Sequence, residues 1–297
     1  MKINHILGNT YYIDCKVAWI PFYKINETDI ILLDSGRFGQ ERDDMMELIL
    51  SNGLNVKGII LTHIHSDHVG AVSRYKAKGA VVAAPEFESM FLTSPRNLRM
   101  WYSYFTAEEL DSYFHGLYFT TEIPIRPEDS SVTICGVTFG VLQTPGHSVG
   151  HISVMTPDNV LYLGDALMGW EECRKAKLPF AFSISLDRET KQLLHSVKAE
   201  KYIMAHEGVE DSIDELIDEN DRVFTRCLNN IFDSLDHEMT VEQLVRVTIG
   251  SFGLNPNPTN YRFRIYARNV GRFVDQLIDE GRVAYHVLDG QALYYRK

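Results

Sequence analysis

The chain has 297 residues, of which 45% are hydrophobic and 23% charged, and a formal net charge of −11. That composition is ordinary for a folded protein of one large domain, or one large and one small, and no apolar run is long enough to span a bilayer. The acidic balance argues against broad polyanion binding, though a local basic patch stays open.

The opening MKINHILGNTYYID has no apolar h-region and no small-residue cleavage site, so no signal peptide is expected. Cys15, Cys135, Cys173 and Cys227 are far apart and form no CxxC pair. This suits a reduced cytoplasmic protein better than a disulfide framework.

Strands come first, in YYIDCKVAWI and DIILLD. GQERDDMMELILSNG follows as a helix, with Met45, Leu48 and Ile49 on one face and Gly53 as its stop. VKGIILTH reads as a strand buried on both faces. The alternation continues through GAVVAAP, SVTICGVTFGVLQTPGH, GHISVMTPD, NVLYLGDA and KYIMAHEG, with TPDN as a tight turn. The pattern is α/β, rich in strands.

One insert, about 87–120, breaks the rhythm. It carries Trp101, Tyr102, Tyr104, Phe105, Tyr113, Phe114, Tyr118 and Phe119. A packed helical insert explains it; so does a lid or substrate wall, since pockets are lined mainly by apolar and aromatic groups. Past about residue 210 the text is charged and helix-periodic. MTVEQLVRVTIGSFG opens with a capping box of Thr240 and Gln243. After the breaker NPNPTN comes a helix ending at Gly281, then a hairpin turning at Asp289–Gly290. The expected division is 1–210 and 211–297, the second a small helical unit of winged-helix type.

LTHIHSDHVG delivers the chemistry. A strand ending at Leu61 or Thr62 presents His63 and His65 on one side, with Asp67 and His68 just beyond and a helix expected from near Val69. Imidazole and carboxylate are metal ligands, and the ends of strands in open α/β sheets bind ligands. Three more apolar strands each finish in one such residue: His147 in TPGHSVGH, Asp165 in LYLGDA and His206 in YIMAHEG.

HxHxDH, a Gly-His turn, GDA and a strand-terminal His, in that order, resemble the metallo-β-lactamase-fold hydrolase superfamily over residues 1–210. TPGHSVGHIS looks most like its glyoxalase II branch. The resemblance implies a four-layered αββα sandwich with two metals at one edge. His63, His65 and His147 would hold the first, Asp67, His68 and His206 the second, and Asp165 would bridge them. Asp67 and Asp165 are then the carboxylates at the reacting centre. A metal-bridging hydroxide would attack the substrate, because metal binding lowers the pKa of water from 15.7 to about 7. Zinc is the expected ion, with iron or manganese also suited to these donors. Asp34 in LLDSG matches an acidic position beside the site and is expected to support a ligand or to form an Asx turn. His151 is expected to pack or cap. His5, His115, His195, His237 and His286 have no ligand context.

For the substrate, Trp170, Phe180 and Phe182 in the loop after Asp165 are the candidate pocket wall, with Arg174, Lys175 and Lys177 able to meet an anion or simply to face solvent. The expectation is a small-molecule ester, thioester or lactone. The alternative is a phosphodiesterase or ribonuclease acting on single-stranded nucleic acid. Arg264, Arg268 and Arg272 share a helix face, which fits either a phosphate stripe or a solvated row paired with acids. The C-terminal unit could also serve to form a homodimer or to shape the pocket.

Overall fold

A computed structural model of the chain describes residues 1–102, 105–206 and 208–297. Tyr104 and the side chain of Tyr113 lie outside the described residues.

The first sheet runs β1 (Ile3–Leu7), β2 (Thr10–Ile13), β3 (Ile20–Lys24), β4 (Asp29–Leu33), β5 (Asn55–Ile60), β6 (Val81–Pro85) and β7 (Ile123–Ile125), in chain order. Its first four strands pair antiparallel; β4 to β7 pair parallel. The second sheet is ordered β13-β12-β11-β10-β9-β8, from β8 (Ser131–Ile134), β9 (Val137–Gln143), β10 (Ile152–Met155), β11 (Val160–Tyr162), β12 (Lys201–Ile203) and β13 (Val209–Glu210). Only β11 and β12 are parallel there.

The two-residue period of a strand sorts the side chains into layers. In β4, Ile31 and Leu33 face the core between the sheets, while Ile30 and Leu32 face outward to helices. In β11, Val160 and Tyr162 face that same inner core and Leu161 the opposite helical layer. Both faces of both sheets are therefore covered, which makes four layers, helix on sheet on sheet on helix. Outside the first sheet lie α1 (Gln40–Ser51), α2 (Val72–Lys76) and the insert, built from α3 (Glu86–Ser89), a 3-10 turn, α4 (Pro95–Trp101) and α5 (Ala107–Phe114). Outside the second lie α6 (Trp170–Lys175), α7 (Ile184–Leu194) and the start of α8 (Asp214–Ser234).

The rest of α8 packs with α9 (Val241–Ser251), α10 (Asn260–Asp279) and the hairpin β14 (Val283–Leu288) and β15 (Gln291–Arg296) around a separate apolar cluster. Met239 bridges to Tyr294 and ties the hairpin to the α8–α9 connection. This unit is not detached, since Ala181 and Ile184 belong to its core and Leu216, Ile217 and Val223 of α8 belong to the second sheet's.

Two local details differ from expectation. The helix after HIHSDH begins at Val72, not near Val69, because Val69 and Gly70 complete a turn in which Gly70 donates to the Gly36 carbonyl at 2.7 Å. SVTICGVTFGVLQ is a hairpin, reversing at Cys135 and Gly136, both with positive φ. The Thr240 capping box and the Asp289–Gly290 turn form as read. Among the described residues no helix is long and apolar enough to cross a membrane.

Candidate metal centre

Asp34 follows β4, His63 follows β5, His147 follows β9, Asp165 follows β11 and His206 follows β12. These strands end on one edge of the sandwich, so their loops meet. Gly164 allows the approach at Asp165. It has φ +53, and a Cβ there would lie 2.7 Å from His151 Nε2 and 2.9 Å from Thr62 Oγ1.

His65 Nδ1 lies 3.0 Å from His63 Nε2 and 2.9 Å from His147 Nε2. Asp165 joins them through Oδ2, 3.1 Å from His147 Nε2 and 3.7 Å from His63 Nε2. Its other oxygen faces a second group, with Oδ1 3.3 Å from His68 Nε2 and 3.4 Å from His206 Nε2. Asp67 Oδ2 is 3.7 Å from His206 Nε2. The structure thus brings all seven predicted donors together, among groups whose donor atoms lie within 4.8 Å of one another: His63, His65, His147 and Asp165; Asp67, His68 and His206; and a third of Asp34, His63 and His68, with Asp165 between the first two.

Three ring nitrogens converging on one point cannot all be satisfied by protons, because neutral imidazole carries a single N–H. Burial holds His63 and His147 well below their usual pKa and lowers His65 to about 4, so these rings keep the lone pairs a metal needs. Burial is the largest single effect on His68 and His206 and opposes their charge, but the carboxylates around them together outweigh it, Asp165 and Asp34 for His68 and Asp165 and Asp67 for His206, which is raised to about 10. His68 Nε2 and Asp165 Oδ1 are buried yet make no hydrogen bond of sound geometry. Buried orphans of this kind carry a cost that a cation between them removes. The donor set therefore fits metal ions.

Asp34 is a support. It is buried at φ 63 and accepts from Thr62 N (2.7 Å), Thr62 Oγ1 (2.8 Å), His68 Nδ1 (2.8 Å) and Tyr162 Oη (2.7 Å). Its hold on His68 Nδ1 turns Nε2 toward Asp165. His151 caps, as expected: its Nε2 accepts from the Asp165 backbone N–H at 3.1 Å and its Nδ1 meets Thr144 Oγ1 at 2.9 Å. The five histidines without ligand context sit away from the centre, four against nearby carboxylates and His5 against the Gly8 carbonyl.

Sequence reasoning missed Glu88, in α3. Fully buried, it accepts from Ile64 N at 3.0 Å, Gly150 N at 2.8 Å and Ser148 Oγ. It thereby joins the His63–His65 loop to the His147 turn. Burial pushes its pKa up to about 7 against those hydrogen bonds. The only sequence signal was an acid in an aromatic stretch. Glu172 was missed too. Burial raises its pKa to about 7, and it lines cavities beside Asp165 and His206.

Three cavities open on the centre. One of about 410 Å³ is walled by Tyr102, Phe105, Leu110 and Phe114 of the insert, opposite Tyr261 and Ile265 of α10. A second, of about 310 Å³, runs past Met168, Leu178 and Phe224. A third, of about 100 Å³, lies among His65, His147, Phe180, Phe182, Arg268 and Arg272. Phe180 borders all three and Phe182 the last. Trp170 borders none of them; the first residue of α6, it packs partly buried on the outer core of the second sheet. Of the loop cations, Arg174 and Lys175 pair with Glu171 and Lys177 donates to the Gly253 carbonyl, while Lys175 also reaches the second cavity.

Residues 9–206 match the family model described as the metallo-beta-lactamase superfamily. A probable metallo-hydrolase of Streptococcus pyogenes serotype M6 is 32% identical over 178 residues, covering 56% of this chain and 64% of that one. Hydroxyacylglutathione hydrolase GloC of Haemophilus influenzae is 27% identical over 171 residues, covering 56% and 72%. A hydroxyacylglutathione hydrolase of Pseudomonas putida (strain GB-1) is 34% identical over 113 residues, covering 37% and 32%. The chain therefore spans less than two thirds of the first and about one third of the last. In fold, a metallo-beta-lactamase family protein from Thermus thermophilus superposes with a TM-score of 0.75 at 20% identity, over 99% of this chain and 100% of that one. A beta-lactamase domain protein from Burkholderia ambifaria gives 0.73 at 15% identity, over 99% and 93%.

Proposed function

This chain belongs to the metallo-beta-lactamase superfamily, and on that premise we propose that it is a dinuclear metal-dependent hydrolase of a small-molecule ester, thioester or lactone. The observation that carries the reading is the shared carboxylate: Asp165 offers Oδ2 to one group of imidazoles and Oδ1 to the other. His63, His65 and His147 would hold the first ion, Asp67, His68 and His206 the second. Zinc is the ion proposed, with iron or manganese as alternatives for the same donors. When bound, the ions supply a nucleophile from water at neutral pH and polarise the carbonyl under attack.

The chain's own residues do the rest. Asp34 and His151 orient the donors through His68 and the Asp165 backbone. The aromatic wall of the insert and α10 excludes water and takes the apolar part of the substrate. Glu172, with its pKa near neutrality, is placed to take or return a proton beside Asp165 and His206. In this reading residues 211–297 shape the pocket, because Tyr261, Ile265, Arg268 and Arg272 border it. Four free thiols suit a reducing cytoplasm.

The test is elemental analysis combined with a substrate panel. Close to two metals per chain are expected, with turnover of thioesters, lactones or aryl esters that chelation abolishes. His65→Ala should lose both metal and activity. Near-zero metal after growth in metal-replete medium would sink the proposal.

A further inference from the structure

We infer that Glu41 is a positioning residue for the second metal site: it holds the backbone of Val17, and Val17 in turn holds His206 with its free ring nitrogen facing the other donors. The inference rests on the dinuclear reading above and adds a residue that lies in none of the donor motifs.

The connection between β2 and β3 passes beside His206. Its Val17 carbonyl meets His206 Nδ1 at 2.6 Å. A carbonyl can only accept, so Nδ1 carries the ring proton and donates it. Nε2 is thereby left toward the centre, 3.4 Å from Asp165 Oδ1 and 3.7 Å from Asp67 Oδ2. Two residues on, Trp19 N donates to the Ala205 carbonyl at 2.6 Å, and Ala205 N donates to the Gly164 carbonyl at 3.1 Å. The residue before His206 is thus tied both to this connection and to the residue before Asp165.

His206 needs such a hold more than its neighbour does. Its side chain is 24% exposed, against 0% for His68. It borders the cavities of about 310 and 410 Å³, and a further one of about 490 Å³ that Val17 and Trp19 also line. A ring beside so much open space is not fixed by packing. The hydrogen bond on the nitrogen away from the metal then sets its tautomer and orientation.

Val17 is itself held from one side. Cys15 and Ala18 are buried in the outer core of the first sheet, but Lys16 is exposed and Val17 half-buried. The Val17 N–H donates to Glu41 Oε1 at 3.2 Å. Glu41 lies in the first turn of α1, whose cap, Gly39, offers the helix no side chain. An acid in that turn favours the helix's own unpaired N–H groups; Glu41 reaches across to another segment. Asp34 and Glu41 flank a single connection, from β4 to α1. Asp34 accepts from His68 Nδ1 at 2.8 Å, and Glu41 acts on His206 through Val17. Both imidazoles of the second site are therefore oriented from that connection, and of the seven donors the path from Glu41 ends on His206.

Stepwise zinc titration of the full chain against a chromogenic chelator tests the inference. His147→Ala and Asp67→Ala identify which step belongs to which group of donors. Glu41→Met keeps the length of the side chain and removes the acceptor. It should weaken the second-site step by about three- to tenfold and leave the first within about twofold. Glu41→Gln keeps an oxygen for the Val17 N–H and should recover most of that loss. Melts of the metal-free variants should lie within about 3 °C of wild type, since a single half-buried contact is removed. A second step unmoved in Glu41→Met, equal weakening of both steps, a Gln variant as weak as Met, or a metal-free melt lowered further each overturns the inference. A wild-type chain that binds fewer than two ions sinks the dinuclear reading and the inference with it. Two ions bound by wild type, with the second step unmoved in the variant, remove the role of Glu41 alone.

Discussion

Replacing Glu88 by alanine should weaken both the fold and the metal centre, although Glu88 donates to no ion and touches no substrate. The carboxylate is fully buried and accepts from Ile64 N, Gly150 N and Ser148 Oγ. Alanine strands all of these donors. A stranded buried donor costs about 1–3 kcal/mol, so the gross loss is roughly 3–9 kcal/mol. Relief of the buried charge opposes this. A pKa raised from 4.5 to about 7 is worth roughly 3 kcal/mol at neutral pH. The net loss is then about 0–6 kcal/mol, so Tm should fall by up to roughly 20 °C and the zinc affinity carries the test at the low end of that range. The sign with pH follows from the raised value. Glu88's contribution is fully present below pH 4.5 and declines as pH rises through about 7. The gap between wild type and Glu88→Ala should therefore be wider at pH 5 than at pH 8. Thermal melts at both values test this, and zinc competition with a chromogenic chelator should show affinity lowered about ten- to hundredfold. A Tm within about 2 °C of wild type with unchanged zinc affinity would refute the reasoning, since no bridging role would then remain.

Asp34→Asn swaps an acceptor for a donor opposite Thr62 N–H and His68 Nδ1. It should lower zinc affinity about ten- to hundredfold, chiefly for one of two equivalents, as resolved by titration with the same chelator. Tyr162→Phe removes only one of the hydrogen bonds to Asp34 and should cost less, about 1 kcal/mol in denaturant melts. Among the thiols, burial pushes Cys15, Cys173 and Cys227 up to about 12, whereas Cys135 is exposed in a hairpin turn. One thiol per native chain should react quickly with an aromatic disulfide reagent at pH 7.5, and all four should react in denaturant. Fast reaction of more than one native thiol would contradict the buried placement.

The clustering of the seven predicted donors was legible because its signal is local. A strand ending in His or Asp states residue type and position together, and the topology of an α/β sheet brings such ends to one edge. The capping box at Thr240 and the turn at Asp289–Gly290 were legible for the same reason, each being set within four residues. The supports were not. Glu88 lies 60 residues from Ser148 and 24 from Ile64, and nothing in PEFES marks its carboxylate as buried. Trp170 misled in the other direction. It sits in the loop that supplies Phe180, but as the first residue of a short helix its ring turns to the outer core of the second sheet. Aromatic composition reports apolar surface without saying which side of the loop it covers.

The same distinction explains why the metal donors say little about the substrate. Residues 9–206 hold every predicted donor, yet two of the three cavities beside them are walled by the insert and by α10. The insert contributes Tyr102, Phe105, Leu110 and Phe114; α10 contributes Tyr261, Ile265, Arg268 and Arg272. Two chains with identical donors would share a nucleophile and still differ in what they cleave, because selectivity is set by differential contacts to the parts of the substrate that do not react. Phe180 is where the two parts join. It packs against His65 (T-shaped, centroids 5.1 Å) and His147 (tilted, 5.3 Å), and Arg268 lies over its ring. Phe180→Leu would keep apolar volume and lose the aromatic face under the guanidinium. If Phe180 shapes the pocket, that change should alter the relative kcat/KM of bulky and small esters while the metal content stays unchanged, since no donor atom is removed. A variant that instead lost zinc and kept its preference would show that Phe180 serves the donors alone, and that selectivity is set elsewhere in the pocket.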